Sequence, residues 1–283
     1  MLLFAALVAG SFSFGKHIAH QVDPTALTAV RFVLAAAVLA PIVAMGGHFK
    51  ATYFRAPWRF FVLGGLFVFY FVMMFEALKL TSAVSAAAVF TAMPFITAML
   101  DRAVFGRQSP MLIWGALAIG ACGALWVVFQ GSWAALLNLN AGRGELLFLL
   151  GTISHAAYAV FLSRLWRGEP IQATSFGVTV AGAVILVVIS WHSIAQTHWA
   201  ALPPVFWATL AYLAIMATVA TFMLITYAAL RLPSAKVTAY TFLTPFWVIC
   251  LESGLGNGLP GVFVLLGGIP IALALVLLFL EKT

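Results

Sequence analysis

The chain has 283 residues, with 14 Lys or Arg and 7 Asp or Glu, so charged residues make up 7% and hydrophobic residues 64%. An ordinary soluble domain carries about 25% charge, and a chain this poor in charge can neither cover a wet surface nor stay extended in water. A soluble globular domain and a disordered chain are both excluded. The formal net charge of +7 comes from positives scattered between apolar runs, with no basic patch that would point to nucleic acid.

Ten apolar runs follow one another, near 1–19, 24–46, 57–78, 82–101, 110–130, 143–165, 170–192, 203–229, 234–252 and 259–280. The first begins at Met1 with no basic stretch ahead of it, so it does not read as a cleaved signal peptide. The breaks carry turn or charge signals, among them Val22-Asp23-Pro24, Gly46-Gly47-His48, Arg167-Gly168-Glu169-Pro170, Pro203-Pro204 and Gly256-Asn257-Gly258. Proline soon after a break suits the first turn of a new helix, where its missing N–H costs little. The runs are continuously apolar and about twice the length of a barrel strand, so helices are expected and a β-barrel is not.

An even number of spans puts both termini on one side. That face carries Lys50, Arg55, Arg59, Arg102, Arg107, Arg164, Arg167, Arg231, Lys236 and Lys282, whereas the opposite face carries Lys16, Lys79 and Arg143. The positive-inside rule then predicts cytoplasmic termini in a multi-pass protein of the bacterial inner membrane. Cys122 and Cys250 sit inside apolar runs and suggest no disulfide framework or metal-ligand spacing; buried inert thiols are expected.

The longest polar connection, 131–144, falls near the midpoint and divides the chain into halves of five spans. EALKLTSA at 76–83 matches AALRLPSA at 228–235, and each is followed by a proline inside the next span, Pro94 in MPF and Pro245 in TPF. Each half closes on a Gly-rich span, WGALAIGACGAL and LLGGIPIALAL. Five is odd, so a second copy inserts upside down. The expected fold is all-α: ten transmembrane helices in two inverted five-helix repeats, 1–130 and 143–283, joined by a loop at 131–142, around a central cavity. Such a layout is common among secondary transporters.

DPTALTAVRFVLAA at 23–36, ALKLTSA at 77–83 and the helices centred on Pro94 and Pro245 resemble the drug/metabolite transporter superfamily, specifically its EamA-type ten-helix members, over essentially the whole chain. Within it the chain is most similar to the YddG-type exporters of aromatic and other amino acids. The resemblance implies a basket of inverted repeats around a cavity, exporting small metabolites. Many relatives carry Gly-Glu after the fourth and ninth helices; here those places read Gly106-Arg107 and Gly256-Asn257.

His155, in GTISHAAYAVF, is the one ionisable residue placed at mid-depth of a span. Such groups usually face a cavity or the bundle interior. Tyr158 at i+3 shares its face, and Gly151 at i−4 leaves room beside it. The bland alternative is a neutral histidine hydrogen-bonded between helices. Arg31, about two turns into the second span, is expected to be structural, snorkelling or pairing with Asp23 or Glu76, or else to bind a substrate carboxylate. Pro94 and Pro245 deprive the carbonyls of Phe90 and Thr241 of helical partners and are candidate hinges. Thr91, Thr244, Ser11 and Tyr240 complete the candidate substrate-binding set. Trp58, Trp133 and Trp199 read as interfacial. Glu76, Asp101 and Glu252 fall at span ends and are expected to be solvated.

No span holds a central carboxylate, so the expected mechanism is passive exchange or facilitated export by alternating access, with His155 the candidate for proton coupling. The expected substrates are small amphiphilic metabolites, amino acids first. The expected partners are that substrate and the lipid bilayer, with no nucleic acid, cofactor or metal, and the chain is expected to be a monomer. Efflux of organic cations or of many drugs is the second reading, but it favours a cavity carboxylate and none is evident in the sequence. An intramembrane enzyme needs a nucleophile, metal ligands or paired carboxylates at one depth, and a lone histidine is poor support for it.

Overall fold

The structure, a computed structural model, describes residues 1–106, 110–129, 131–134, 142–232 and 234–280, without the side chains of 234–236, 279 and 280. The 131–142 loop therefore falls mostly outside the described residues, as do Arg107, Lys282 and the side chain of Lys236. Among the described residues all regular structure is helical. Spans one to three are α1 (Leu2–Ile18), α2 (Pro24–Met45) and α3 (Trp58–Leu80). Span four is broken into α4 (Ala83–Phe90) and α5 (Met93–Phe105), and spans five to seven are α6 (Met111–Val128), α7 (Arg143–Leu165) and α8 (Ile171–Gln196). Span eight joins α9 (Pro204–Ala214) to α10 (Thr221–Ala229) through a π-helical turn, Ile215–Ala220. Span nine joins α11 (Ser234–Ala239) to α12 (Thr244–Gly254) through a 3-10 turn, Tyr240–Leu243, and span ten is α13 (Val262–Leu266) with α14 (Gly268–Leu280).

Seven of these helical segments are long and apolar enough to cross a membrane, and Leu2–Ile18 and Val262–Leu278 are shorter apolar helices. The chain is a multi-pass membrane protein. Its polarity is inverted relative to a water-soluble fold. Val188 and Val262 are 72% and 73% exposed on the outside, whereas Arg31, Thr28 and Thr152 are fully buried. In water such an apolar exterior would demand a partner; in lipid it is the face matched to the solvent. The same inversion corrects the expectation for the thiols, because Cys122 and Cys250 are exposed on the bundle exterior. An apolar run places residues outside as readily as inside when the outside is hydrocarbon.

Spans two and seven pack together, as do five and ten and four and nine; three packs on six and seven, eight on one and two, four on six, and nine on one. Each pairing maps onto itself or onto another when span n is exchanged with span n+5. Glycines set the closest crossings. A Cβ on Gly64 of α3 would lie 2.9 Å from Gly182 N and from Val178 O of α8, and one on Gly123 of α6 would lie 2.7 Å from Gly267 O of the last span. Small residues let helix backbones approach in lipid, where dispersion rather than hydrophobic burial drives association. Gly151 is used in this way and not as space beside His155, since its Cβ would meet Met73 Cβ at 3.0 Å and Tyr70 O at 3.2 Å.

The ends of the spans also differ from expectation. Asp23 caps α2, accepting from the N–H groups of Thr25 and Ala26, which satisfies donors that the first helical turn leaves open. At the same end of the bundle as the Arg55 and Arg167 segments, Arg59 is 2% exposed and pairs with Glu169 at 2.6 Å. It also donates to Leu165 O at 2.6 Å and to Arg55 O at 2.9 Å, tying the start of span three to the connection between spans six and seven. Asp101 is buried rather than solvated, and Glu76 pairs with Lys79 at 3.3 Å. Trp58 and Trp133 are exposed, and Trp199 is half-buried with its indole N–H on Ile194 O at 2.9 Å.

Candidate substrate site in an aromatic cluster

Span six is held to span three by the Ser154 hydroxyl, which donates to Leu66 O at 2.7 Å. This register turns the next residue, His155, into the aromatic face of α3. Phe67, Tyr70 and Phe71 lie at i, i+3 and i+4 on that face, while Phe69 points outward and is exposed. The imidazole centroid lies 4.4 Å from Tyr70, 4.7 Å from Phe67 and 5.5 Å from Phe90. Tyr158 lies 4.5 Å from Phe67 and 6.0 Å from His155, next to Thr226 of α10. Phe12, Phe148 and Phe222 extend the cluster into spans one, six and eight.

His155 is 2% exposed, and neither of its ring nitrogens has a hydrogen-bond partner. The bland expectation of a histidine satisfied between helices is therefore not what the geometry shows. A neutral imidazole holds one donor and one acceptor, and leaving a buried polar atom unmade costs about 1–3 kcal/mol. Around His155 the rings of Phe67, Tyr70 and Phe90 pack with centroids within 5.5 Å of the imidazole. Cavities of ≈ 260 Å³ between α4, α6 and α7 and of ≈ 520 Å³ between α6, α12 and the last span are lined by other residues.

Arg31 flanks the same cluster. Its guanidinium lies 3.8 Å over the Phe71 ring, itself 5.0 Å from Phe67. Nε donates to Thr218 Oγ1 and Nη2 to Ala217 O, both at 2.7 Å, while Nη1 is buried without a partner. Both acceptors belong to the π-helical turn of span eight, whose wider winding disturbs the regular i−4 pairing of carbonyls. Arg31 thus neither snorkels nor pairs with Asp23 or Glu76; it binds backbone and hydroxyl.

The two proline breaks are built alike. Thr91 donates through Oγ1 to Ala88 O at 2.6 Å, and Thr241 to Thr238 O at 2.7 Å, three residues back in each case. Pro94 and Pro245 are each the second residue of the helix that follows. The carbonyl of Thr241 is not orphaned, because the 3-10 turn lets the Thr244 N–H reach it. Thr244 Oγ1 is buried without a partner. Ser11 is buried beside Phe12, and Tyr240 opens the 3-10 turn that packs on α1 and α14. The fold thus brings His155 and Tyr158 into the cluster and places Arg31 one ring away. Thr244 and Tyr240 belong to the ninth span's break.

The model of the EamA-like transporter family matches residues 1–129 and 142–280. The chain belongs to this family. The EamA-like chain is 25% identical over 276 residues to the uncharacterized transporter YyaM of Bacillus subtilis (strain 168), covering 96% of this chain and 90% of that one. It is 27% identical over 239 residues to the uncharacterized inner membrane transporter YedA of Escherichia coli (strain K12), covering 83% and 74% of the two chains. An uncharacterized transporter of Archaeoglobus fulgidus is 26% identical over 268 residues, covering 92% of this chain. One crystal structure superposes with a TM-score of 0.76 at 19% identity, over 99% of this chain and 96% of its own, a likeness of fold. The protein is a transporter, acting on a small molecule within a lipid bilayer. The sequence singles out His155 and Tyr158 of this EamA-like chain but not their neighbours Phe67, Phe90 and Phe148. The aromatic face of FVFYF at 67–71 was the available signal, blurred because lipid-facing phenylalanines look the same in sequence.

Proposed function

We propose that this transporter exports small amphiphilic metabolites, amino acids first and aromatic ones among them as in the YddG-type exporters, from a cytoplasm that also holds both termini. The observation that carries the reading is the unpartnered His155 imidazole inside a box of Phe67, Tyr70, Phe90 and Tyr158. A substrate with an apolar body and a polar head replaces ring contacts with ring contacts and gives the imidazole the hydrogen bonds it lacks. The free Nη1 of Arg31 suits a substrate carboxylate, since a guanidinium fits that group closely. Spans three and four, with eight and nine, rock about the breaks at Pro94 and Pro245 to expose the box alternately to each side, one such pair lying in each five-span half, 1–130 and 143–283.

Export of a panel of amino acids and organic cations, from cells and from proteoliposomes with and without a pH gradient, tests this. His155→Ala and Tyr158→Ala are each expected to cut export of aromatic amino acids at least tenfold without loss of folded protein. Unchanged export in both removes the site, and a strict proton requirement that survives His155→Ala refutes the role of His155 in coupling. Efflux of organic cations is the second reading, favoured by one observation: the Glu252 carboxylate borders a cavity.

A further inference from the structure

At the end of the bundle that holds Lys16, Thr81 and the start of α7, a cavity of ≈ 330 Å³ opens between spans four, five, nine and ten, lined by Ser82, Ser85, Glu252, Asn257 and the backbone of Gly258–Gly261. Glu252 was expected to be solvated. One of its carboxylate oxygens instead accepts from the Asn257 side-chain amide at 2.7 Å, and the other, Oε1, is buried with no partner. A carboxylate oxygen shut away from water without a donor is costly, and a cation removes that cost. The nearby positive group does not fill the role. Lys16 lies within electrostatic reach of Glu252, but its ammonium is committed to Leu78 O and Thr81 O, both at 2.6 Å. The Ser85 hydroxyl at the cavity is not a free donor either. Ser85 Oγ donates to Glu145 Oε1 at 2.7 Å, and Thr81 donates to the same oxygen. Ser82 Oγ accepts from the Ser85 N–H at 3.0 Å as the cap of α4. The wall is therefore rich in acceptors, with two carboxylates close by and the Ser85 donor already used.

We infer that this cavity is a second ligand site, separate from the His155 box, which binds organic ammonium groups through Glu252. The ligand donates to Oε1, with the Ser82 and Ser85 oxygens as further acceptors, and its apolar body lies against Val127, Leu259 and Val264. An ammonium is the group an amino acid and a simple amine share, so the site serves either substrate class.

Calorimetric titration of the purified full-length protein in nanodiscs tests this with three ligands alike in ring and differing in charge: phenethylammonium, phenylalanine and phenylacetate. The first two are expected to show binding that depends on Glu252, and phenylacetate is not. Binding of phenethylammonium without phenylalanine assigns the site to amines; binding of both includes amino acids. Glu252→Gln is expected to weaken phenethylammonium at least tenfold, and Asn257→Asp, which adds a carboxylate at the same wall, to strengthen it. Affinity for phenethylammonium that is unchanged in both variants overturns the inference whatever His155→Ala does to export.

Discussion

Arg31 shows how a full charge is kept inside a bundle without an acidic partner. A carbonyl, a hydroxyl and an aromatic face share the guanidinium, and the acceptors come from a helix wound so as to offer them. Lysine has one compact ammonium in place of the planar fork and stacks less well. Arg31→Lys is therefore expected to lose about 1–3 kcal/mol of stability, read as a lower Tm in detergent. Glu169 is the opposite case. Burial alone would raise its carboxyl, but hydrogen bonds from Arg59 and the Arg167 N–H, with the Arg59 charge, outweigh that and hold it below the ordinary carboxylate range. A group whose folded value is depressed stabilises above its unfolded value, near 4.3 for Glu, and loses that stabilisation as pH falls through the folded value. The Tm advantage of the wild type over Glu169→Gln is accordingly expected to be full at pH 7 and to shrink as the pH falls below about 4. Neither partner set was legible in the sequence. Arg59 and Glu169 stand 110 residues apart, and Arg59 read only as one more positive on its face.

At the scale of elements, the breaks in spans four and nine were legible because proline and the repeated LTSA and LPSA strings act locally. The way the Thr241 carbonyl is satisfied was not, since it depends on a 3-10 turn rather than an open ledge. Helix crossings were half legible. Glycine richness marked the last span of each half, and α6 does pack on α14, but Gly64 carried no signal to distinguish it from its neighbour Gly65. A Cβ at Gly64 meets α8 backbone at 2.9 Å, and backbone cannot turn aside as a side chain can. Gly64→Ala is expected to cost about 1–3 kcal/mol by overpacking, whereas at Gly65, where the nearest atom is the end of Ile185 at 3.7 Å, alanine is expected to leave the Tm within a degree or two of wild type.

For the whole molecule the testable quantity is orientation. The positives of the terminal face outnumber those opposite, so reporter fusions at Thr283 and Asn140 are expected to report the cytoplasm and the outside respectively. A periplasmic or external signal at Thr283 sinks the assignment.

Composition and run length were enough, without coordinates, to establish a helical membrane protein of about ten spans, because the thermodynamics of lipid acts on every residue of a run alike. The expectation of two halves rests on the matching strings ahead of Pro94 and Pro245. Only the tertiary structure decided which face of each span looks inward. A uniformly apolar helix carries almost no amphipathic signal, and hence Cys122 proved exterior and Glu252 came to border a cavity. It was tertiary packing, likewise, that brought His155 into a ring of aromatic side chains drawn from spans one, three, four, six and eight, residues that are distant in sequence and alike in hydropathy.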